Sequence, residues 1–239
     1  MRTPTVFSLG RWTIFASMVL GGLAMLLYPG GTRRDPSTIG YRFFQNFLSD
    51  LGNTVAFSGQ SNRVSSILAL TVCALMVPTV LACILAFVRL YSLSRSRRRI
   101  AIAAAVLTAI SCVCMMGVAM SPGNLALTRH VRFSLLTLAP WPVASLLFAV
   151  VTVRDDRFRW GVPAAWLALT FVSAGLLSVR LWGPSITTDI GLTMAVTAQK
   201  IAMLTALGVF VYQTCEADRL AARARKAAAE PPIGESIHG

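Results

Sequence analysis

The long apolar stretches of this chain hold few side chains able to do chemistry, and Lys200 stands out among them. It lies about ten positions into the last apolar run, so at ~1.5 Å per residue its ammonium sits roughly 15 Å below the outer end of a helix. An ammonium at that depth costs ~2.5–3.5 kcal/mol on insertion scales, so such residues usually face a bundle interior and find a partner there. Asp50 is the acid best placed to be that partner. Asp189 lies eleven residues earlier on the same helix, too far along the axis to pair. Three roles are open to Lys200: a structural ion pair that locks a loop into the bundle, a side chain that snorkels outward, or half of a functional buried charge pair.

Asp50 belongs to the segment Gly40-Tyr-Arg-Phe-Phe-Gln-Asn-Phe-Leu-Ser-Asp-Leu-Gly-Asn53. At 100° per residue, Tyr41, Phe44, Phe47, Leu48 and Leu51 share one face, and Arg42, Asn46, Ser49, Asp50 and Asn53 share the other. Phe43 falls at the boundary. The pattern predicts an amphipathic helix at the outer interface, ended by Gly52. Its polar face either stays wet, making the helix an anchor, or turns inward and lines a cavity. The content of Asn, Ser and Asp, where an anchor would more often carry Lys and Glu, favours the cavity.

His130, in Thr128-Arg-His-Val-Arg-Phe133, precedes the fourth span on the same outer side and could move a proton; the second histidine is His238. A Ser49–His130–Asp50 relay is chemically conceivable. Adjacent Ser49 and Asp50 point about 100° apart on a helix, however, which argues against a triad. One histidine without further ligands makes neither a zinc nor a haem site, so no metal and no cofactor are expected. Arg180 ends the fifth span beside Trp182, an interface anchor. With Arg42, Arg63, Arg129, Arg132 and Lys200 it makes the outer half basic, and guanidinium groups bind phosphates in bidentate fashion. Contact with surrounding phospholipid would equally account for those charges. The expected ligand-binding set is Asn46, Ser49, Asp50, Asn53, His130, Arg180 and Lys200, with no catalytic residue assigned.

The elements that position these residues follow from hydropathy. The 239-residue chain is 55% hydrophobic and 13% charged, with a mean hydropathy of +0.66. Soluble domains carry about twice that share of charge, so a bilayer is the solvent expected for so much apolar surface. Six runs, over 12–29, 65–90, 100–121, 133–153, 162–182 and 190–214, are long enough to span ~30 Å of hydrocarbon. The fold class expected is all-α: an integral membrane bundle of six transmembrane helices with the amphipathic helix in the first outer loop. Residues 1–215 form the transmembrane domain and 216–239 a basic cytoplasmic tail, helical until Pro231 and Pro232. The run after Arg11 lacks a convincing cleavage site and reads as an uncleaved first helix.

The net charge of +13 does not imply nucleic acid, because the basic residues form short clusters between apolar runs. Their placement is topological. Fourteen of the 22 Lys and Arg fall on one side and seven on the other, with Lys200 inside a span. The positive-inside rule puts both termini in the cytoplasm of a cell in whose inner membrane the bundle sits, and Arg95–Arg99 is the firmest marker. The five cysteines lie in or at the end of apolar runs and imply no disulfide framework. Pro78, Pro140 and Pro142 should kink the second and fourth spans, while Pro163 sits harmlessly at a helix start.

The element Asn46-Phe-Leu-Ser-Asp-Leu-Gly52, placed after a first span and before five more, resembles the six-helix bacterial membrane proteins grouped as domain of unknown function 998. It is similar, more distantly, to the DRAM-type six-helix proteins. The resemblance implies the six-span fold, and a histidine near the start of the fourth span, here His130. It implies no common reaction. Three function classes follow from the residues. The first is an outward-opening polar site for an anionic lipid head group or amphipathic ligand. The second is a structural or accessory subunit of a larger membrane complex, with partner membrane subunits. The third, a lipid-modifying enzyme, lacks an identifiable nucleophile and base. A proton-coupled transporter is disfavoured by the near absence of acids inside the spans.

Overall fold

Thr5 begins the first helix by accepting a hydrogen bond from Ser8 N at 3.1 Å. In the computed structural model, which describes residues 5–90 and 94–229, helix α1 then runs over Val6–Leu26. It starts earlier than hydropathy predicts because Arg11, which ends the apolar run, is neutralised by Asp218 at 2.7 Å and so fits inside the helix. Helix α2 spans Arg63–Leu90 and contains Pro78. Helix α3 spans Arg95–Ala119, capped by the Ser94 hydroxyl, so the arginine cluster forms its first turn.

The fourth span is two helices, α4 over Gly123–Leu138 and α5 over Trp141–Val153. Pro140 lies between them and Pro142 in the first turn of α5, and neither can donate the backbone bond that would continue α4. Helix α4 begins ten residues before the expected 133. His130 therefore lies inside the helix, not ahead of it, as do Arg129 and Arg132. Helix α6 spans Gly161–Trp182, with Pro163 in its first turn, and α7 spans Asp189–Ala229 without a break at 215. Pro231 and Pro232 lie outside the described residues.

Among the described residues the chain is all-helical, with two isolated β-bridges and no strands. Six stretches are long and apolar enough to cross a membrane, α4 and α5 together making one of them. The most apolar of these, α2, is also the least buried, with only 11% of its window inside the protein. Apolar side chains thus face outward along the spans, as expected where hydrocarbon is the solvent.

Neighbours in sequence are neighbours in space. α1 packs on α2, α2 on α3, α3 on α4 and α5, α5 on α6, α6 on α7, and α7 returns to α1, closing a ring. The largest core cluster, around Phe7, Phe87, Phe148 and Trp166, fills the ring toward the end where α1 starts. That end is fastened by Asp155, which holds Arg157 at 2.7 Å and Arg97 at 3.5 Å, while Arg157 also donates to Leu90 O. Burial would raise the Asp155 carboxyl, but its bonds to Arg157 and the charge of Arg97 bring it below its ordinary value.

Candidate functional site

Residues 27–62 connect α1 to α2 and form a folded cap over the other end of the ring. Gly31 adopts a φ of +81°, a region that L side chains rarely enter, and its amide donates to Thr38 O at 2.7 Å. The bridges Gly30–Ile39 and Val55–Ser61 tie the cap across itself.

The amphipathic helix expected over 40–53 does not form. Only the short 3-10 helix Leu48–Gly52 is present, preceded by a single turn at Arg42–Asn46. A side chain takes an amide that a helix would use, Asp50 Oδ2 accepting from Phe47 N at 2.7 Å, while Asn46 Oδ1 accepts from Arg42 N at 2.9 Å and closes the preceding turn. Asn and Asp compete with the backbone in this way, and here they win. Both expected faces are mixed as a result. Phe47 and Leu51 are buried beside Asn46, Asp50 and Asn53, while Phe44 and Arg42 are exposed.

The cap is seated by contacts on several helices. Tyr28 and Leu51 pack with Ala24 of α1, and Leu68 and Ala69 of α2 lie against them. Phe47 packs on Leu192, Ala195 and Val196 of α7. Asn62 Nδ2 donates to Leu51 O at 3.0 Å and Asn53 O at 2.7 Å, and Ser65 of α2 donates to Leu51 O. Asn53 Oδ1 accepts from Asn124 N at 3.2 Å, joining the cap to the first turn of α4.

Lys200 is buried, at 4% exposure, and is directed at the cap. Its ammonium donates to Asn46 O at 2.7 Å and lies 5.3 Å and 4.8 Å from the ring centroids of Tyr41 and Phe43. The preceding residue, Gln199, accepts from Leu48 N at 2.9 Å. Two consecutive residues of α7 therefore grip the cap main chain on either side of Phe47.

Asp50 and Lys200 are brought near one another but do not form an ion pair. Among the described residues, no carboxylate lies within 4 Å of the Lys200 ammonium, whose hydrogen bond is to the Asn46 carbonyl. Asp50 is pushed up to about 6 from its ordinary 3.8 by burial. The Phe47 amide, Arg33, Asn46 and Lys200 limit the rise. The Tyr41 hydroxyl, bonded to Asn46 O at 2.9 Å, is raised by burial and by the Asp50 charge.

The remaining expected residues are spread around this core. His130 Nδ1 lies 2.8 Å from Ser121 O. A carbonyl only accepts, so Nδ1 is the donor in this contact. Among the described residues no hydrogen bond links His130, Ser49 and Asp50, so the relay is not assembled. Arg180 is half-buried, its guanidinium 5.6 Å from the centroid of Phe47. Arg33 lies over Phe57 in the same way, also at 5.6 Å.

The expected set therefore divides. Asn46, Asp50, Asn53 and Lys200 hold the cap, Arg180 flanks it, His130 bonds back to the α3–α4 turn, and Ser49 is half-buried in the 3-10 helix. Gln199, Asn62, Asn124 and Arg33 are not among the expected site residues, Arg33 counting only toward the charge of the outer side. Gln199 carried a usable signal, being a second polar residue beside Lys200 inside a span. No group of three or more His, Cys, Asp or Glu able to hold a metal occurs among the described residues. Comparison with protein-family models, with curated proteins and with solved structures finds no match to this chain.

Proposed function

We propose that this multi-pass protein binds an anionic lipid head group, or an amphipathic ligand of like charge, at the capped end of its bundle. In this reading both termini are cytoplasmic, the membrane is the cell's inner membrane, and the cap faces outward. The kinship with the domain of unknown function 998 proteins belongs to the same reading and rests on Asn46–Gly52.

The observation that carries it is Arg180, a half-buried guanidinium lying on Phe47 with no ion-pair partner among the described residues. The acids of that end are already engaged. Asp35 accepts from Ser37, Asp189 holds Arg34, and Asp50 is buried within the cap, bonded to Phe47 N. A guanidinium so placed is suited to an anion supplied from outside the chain.

Native mass spectrometry of the protein in mild detergent tests this. Co-purifying anionic lipid should be present in the wild type and depleted in Arg180→Gln, and undiminished lipid in that variant would refute the reading. Asp50→Asn and Lys200→Met should weaken retention by loosening the cap beneath Arg180. An impermeant reagent should fail to label a cysteine placed at Arg98 in intact cells. Labelling there would reverse the orientation.

A second reading, an accessory subunit, is favoured by the exposed Ile39 and Phe44 of the cap. It expects a fixed partner that co-purifies and is lost on Phe44→Ser while bound lipid is unchanged.

A further inference from the structure

Arg33 and Arg180 come from distant parts of the chain, the cap and the end of α6, yet they share one arrangement. Each guanidinium lies 5.6 Å from the centroid of an aromatic ring, Phe57 and Phe47 respectively. The two rings belong to cap segments that are bonded together. Asn46, next to Phe47, donates to Gly31 O, and Ser58, next to Phe57, donates to Gly30 O. The two cations are close enough for the charge of Arg33 to act on Arg180.

Among the described residues neither guanidinium has an ion pair or a hydrogen bond. Their neighbour Arg34, by contrast, is held by Asp189 at 2.9 Å. Two like charges brought together repel; the buried Asp50 carboxylate acts on Arg33 without forming an ion pair, and an anion between the two guanidiniums would offset the remaining repulsion. The ring contacts take no N–H of either guanidinium in a hydrogen bond, and guanidinium N–H groups suit phosphate oxygens in bidentate fashion. Lys200 does not serve the same anion, because its ammonium is bonded to Asn46 O.

We propose that Arg33 and Arg180 together form a phosphate-binding subsite selective for a terminal phosphomonoester. Two guanidinium charges match a phosphomonoester, which carries about −1.5 to −2 at pH 7, better than the single charge of a phosphodiester. The group comes either from a lipid head group or from a soluble phosphate. This inference rests on the head-group reading above and names the chemistry that the site selects.

The test uses the full chain reconstituted in phosphatidylcholine vesicles doped with phosphatidic acid or with phosphatidylglycerol, with inorganic phosphate as competitor. Phosphatidic acid should bind at least about tenfold more tightly than phosphatidylglycerol. Arg33→Gln and Arg180→Gln should each abolish most of that preference, and Arg180→Lys should weaken it by losing the fork. Thermal midpoints control for folding, and Arg33→Gln, at an exposed side chain, keeps the test alive if Arg180→Gln fails to fold. Equal binding of the two lipids, both lost in Arg180→Gln, would overturn the subsite while leaving the broader reading intact. Unchanged phosphatidic acid binding in Arg33→Gln would also overturn it. Binding of inorganic phosphate that needs both arginines, with no lipid preference, would uphold the subsite with a soluble source and defeat the head-group reading.

Discussion

The ammonium of Lys200 is bonded to the main-chain carbonyl of Asn46 at 2.7 Å, not to the carboxylate of Asp50. A side chain that grips a carbonyl recognises the path of the loop and not the residue it carries. Tyr41 bonds the same carbonyl, and Gln199 holds the amide of Leu48. The charge at this depth therefore serves to seat the cap.

Removing the grip should loosen the cap more than it unfolds the bundle. In Lys200→Met, relief of ~2.5–3.5 kcal/mol of burial cost nearly balances the loss of one charge-assisted bond and two ring contacts. The melting temperature should move little, while hydrogen exchange at Phe47 and Leu48 accelerates. Gln199→Ala should cost about 1 kcal/mol alone. The double variant should depart from additivity, because both side chains hold one segment. Strict additivity would mean the two contacts act independently.

Cap stability should fall as pH rises, owing to Asp50. Its carboxyl is held near 6 by burial, against an ordinary 3.8. A value raised in the folded state gives stability that is complete below the ordinary value and lost as pH climbs through about 6. The gap of roughly two units corresponds to ~3 kcal/mol at most. Exchange at Phe47 and Asn53, corrected for intrinsic rate, should be slower at pH 5 than at pH 7.5. Asp50→Asn should flatten the difference, and slower exchange at the higher pH in the wild type would contradict the assignment.

Gly31 and Gly40 both have positive φ, at +81° and +68°, yet they should respond differently to Ala. A Cβ on Gly31 would collide with Ser58 N and Phe57, whereas one on Gly40 meets open space. Gly40→Ala should cost about 1–2 kcal/mol of backbone strain. Gly31→Ala should cost clearly more and release the cap, seen as new proteolytic cleavage within 30–60. Equal melting temperatures for the two variants would show that the Gly31 contact yields easily.

The α3–α4 contact depends on Gly117, whose added Cβ would lie 2.5 Å from Phe133 Cδ1 and 2.7 Å from its Cε1 and Cγ. Gly117→Ala should destabilise the protein by about 1–3 kcal/mol. Phe133→Leu should recover part of that loss in the double variant. Gly22→Ala, with nothing near its Cβ, should be neutral or slightly stabilising. A neutral Gly117→Ala would place α4 farther from α3 than observed here.

Hydropathy and charge by themselves determined the all-helical six-span character, because membrane crossing depends on local runs of apolar residues. They also marked Lys200 as a residue needing a partner and gathered most of the cap residues into one segment. They misplaced the starts of α1 and α4 where a charge lay inside a helix, since Arg11 is acceptable there only through Asp218, 207 residues away. Residues 40–53 had helical periodicity, but Asp50 bonds the Phe47 amide that the helix needed and Asn46 closes a turn on Arg42, and that competition is settled only when the segment is buried. The grip of Lys200 on Asn46 joins residues 154 apart. The tertiary structure alone decided that partner, because a buried ammonium accepts any well-placed oxygen, and ring closure set which oxygen was in reach.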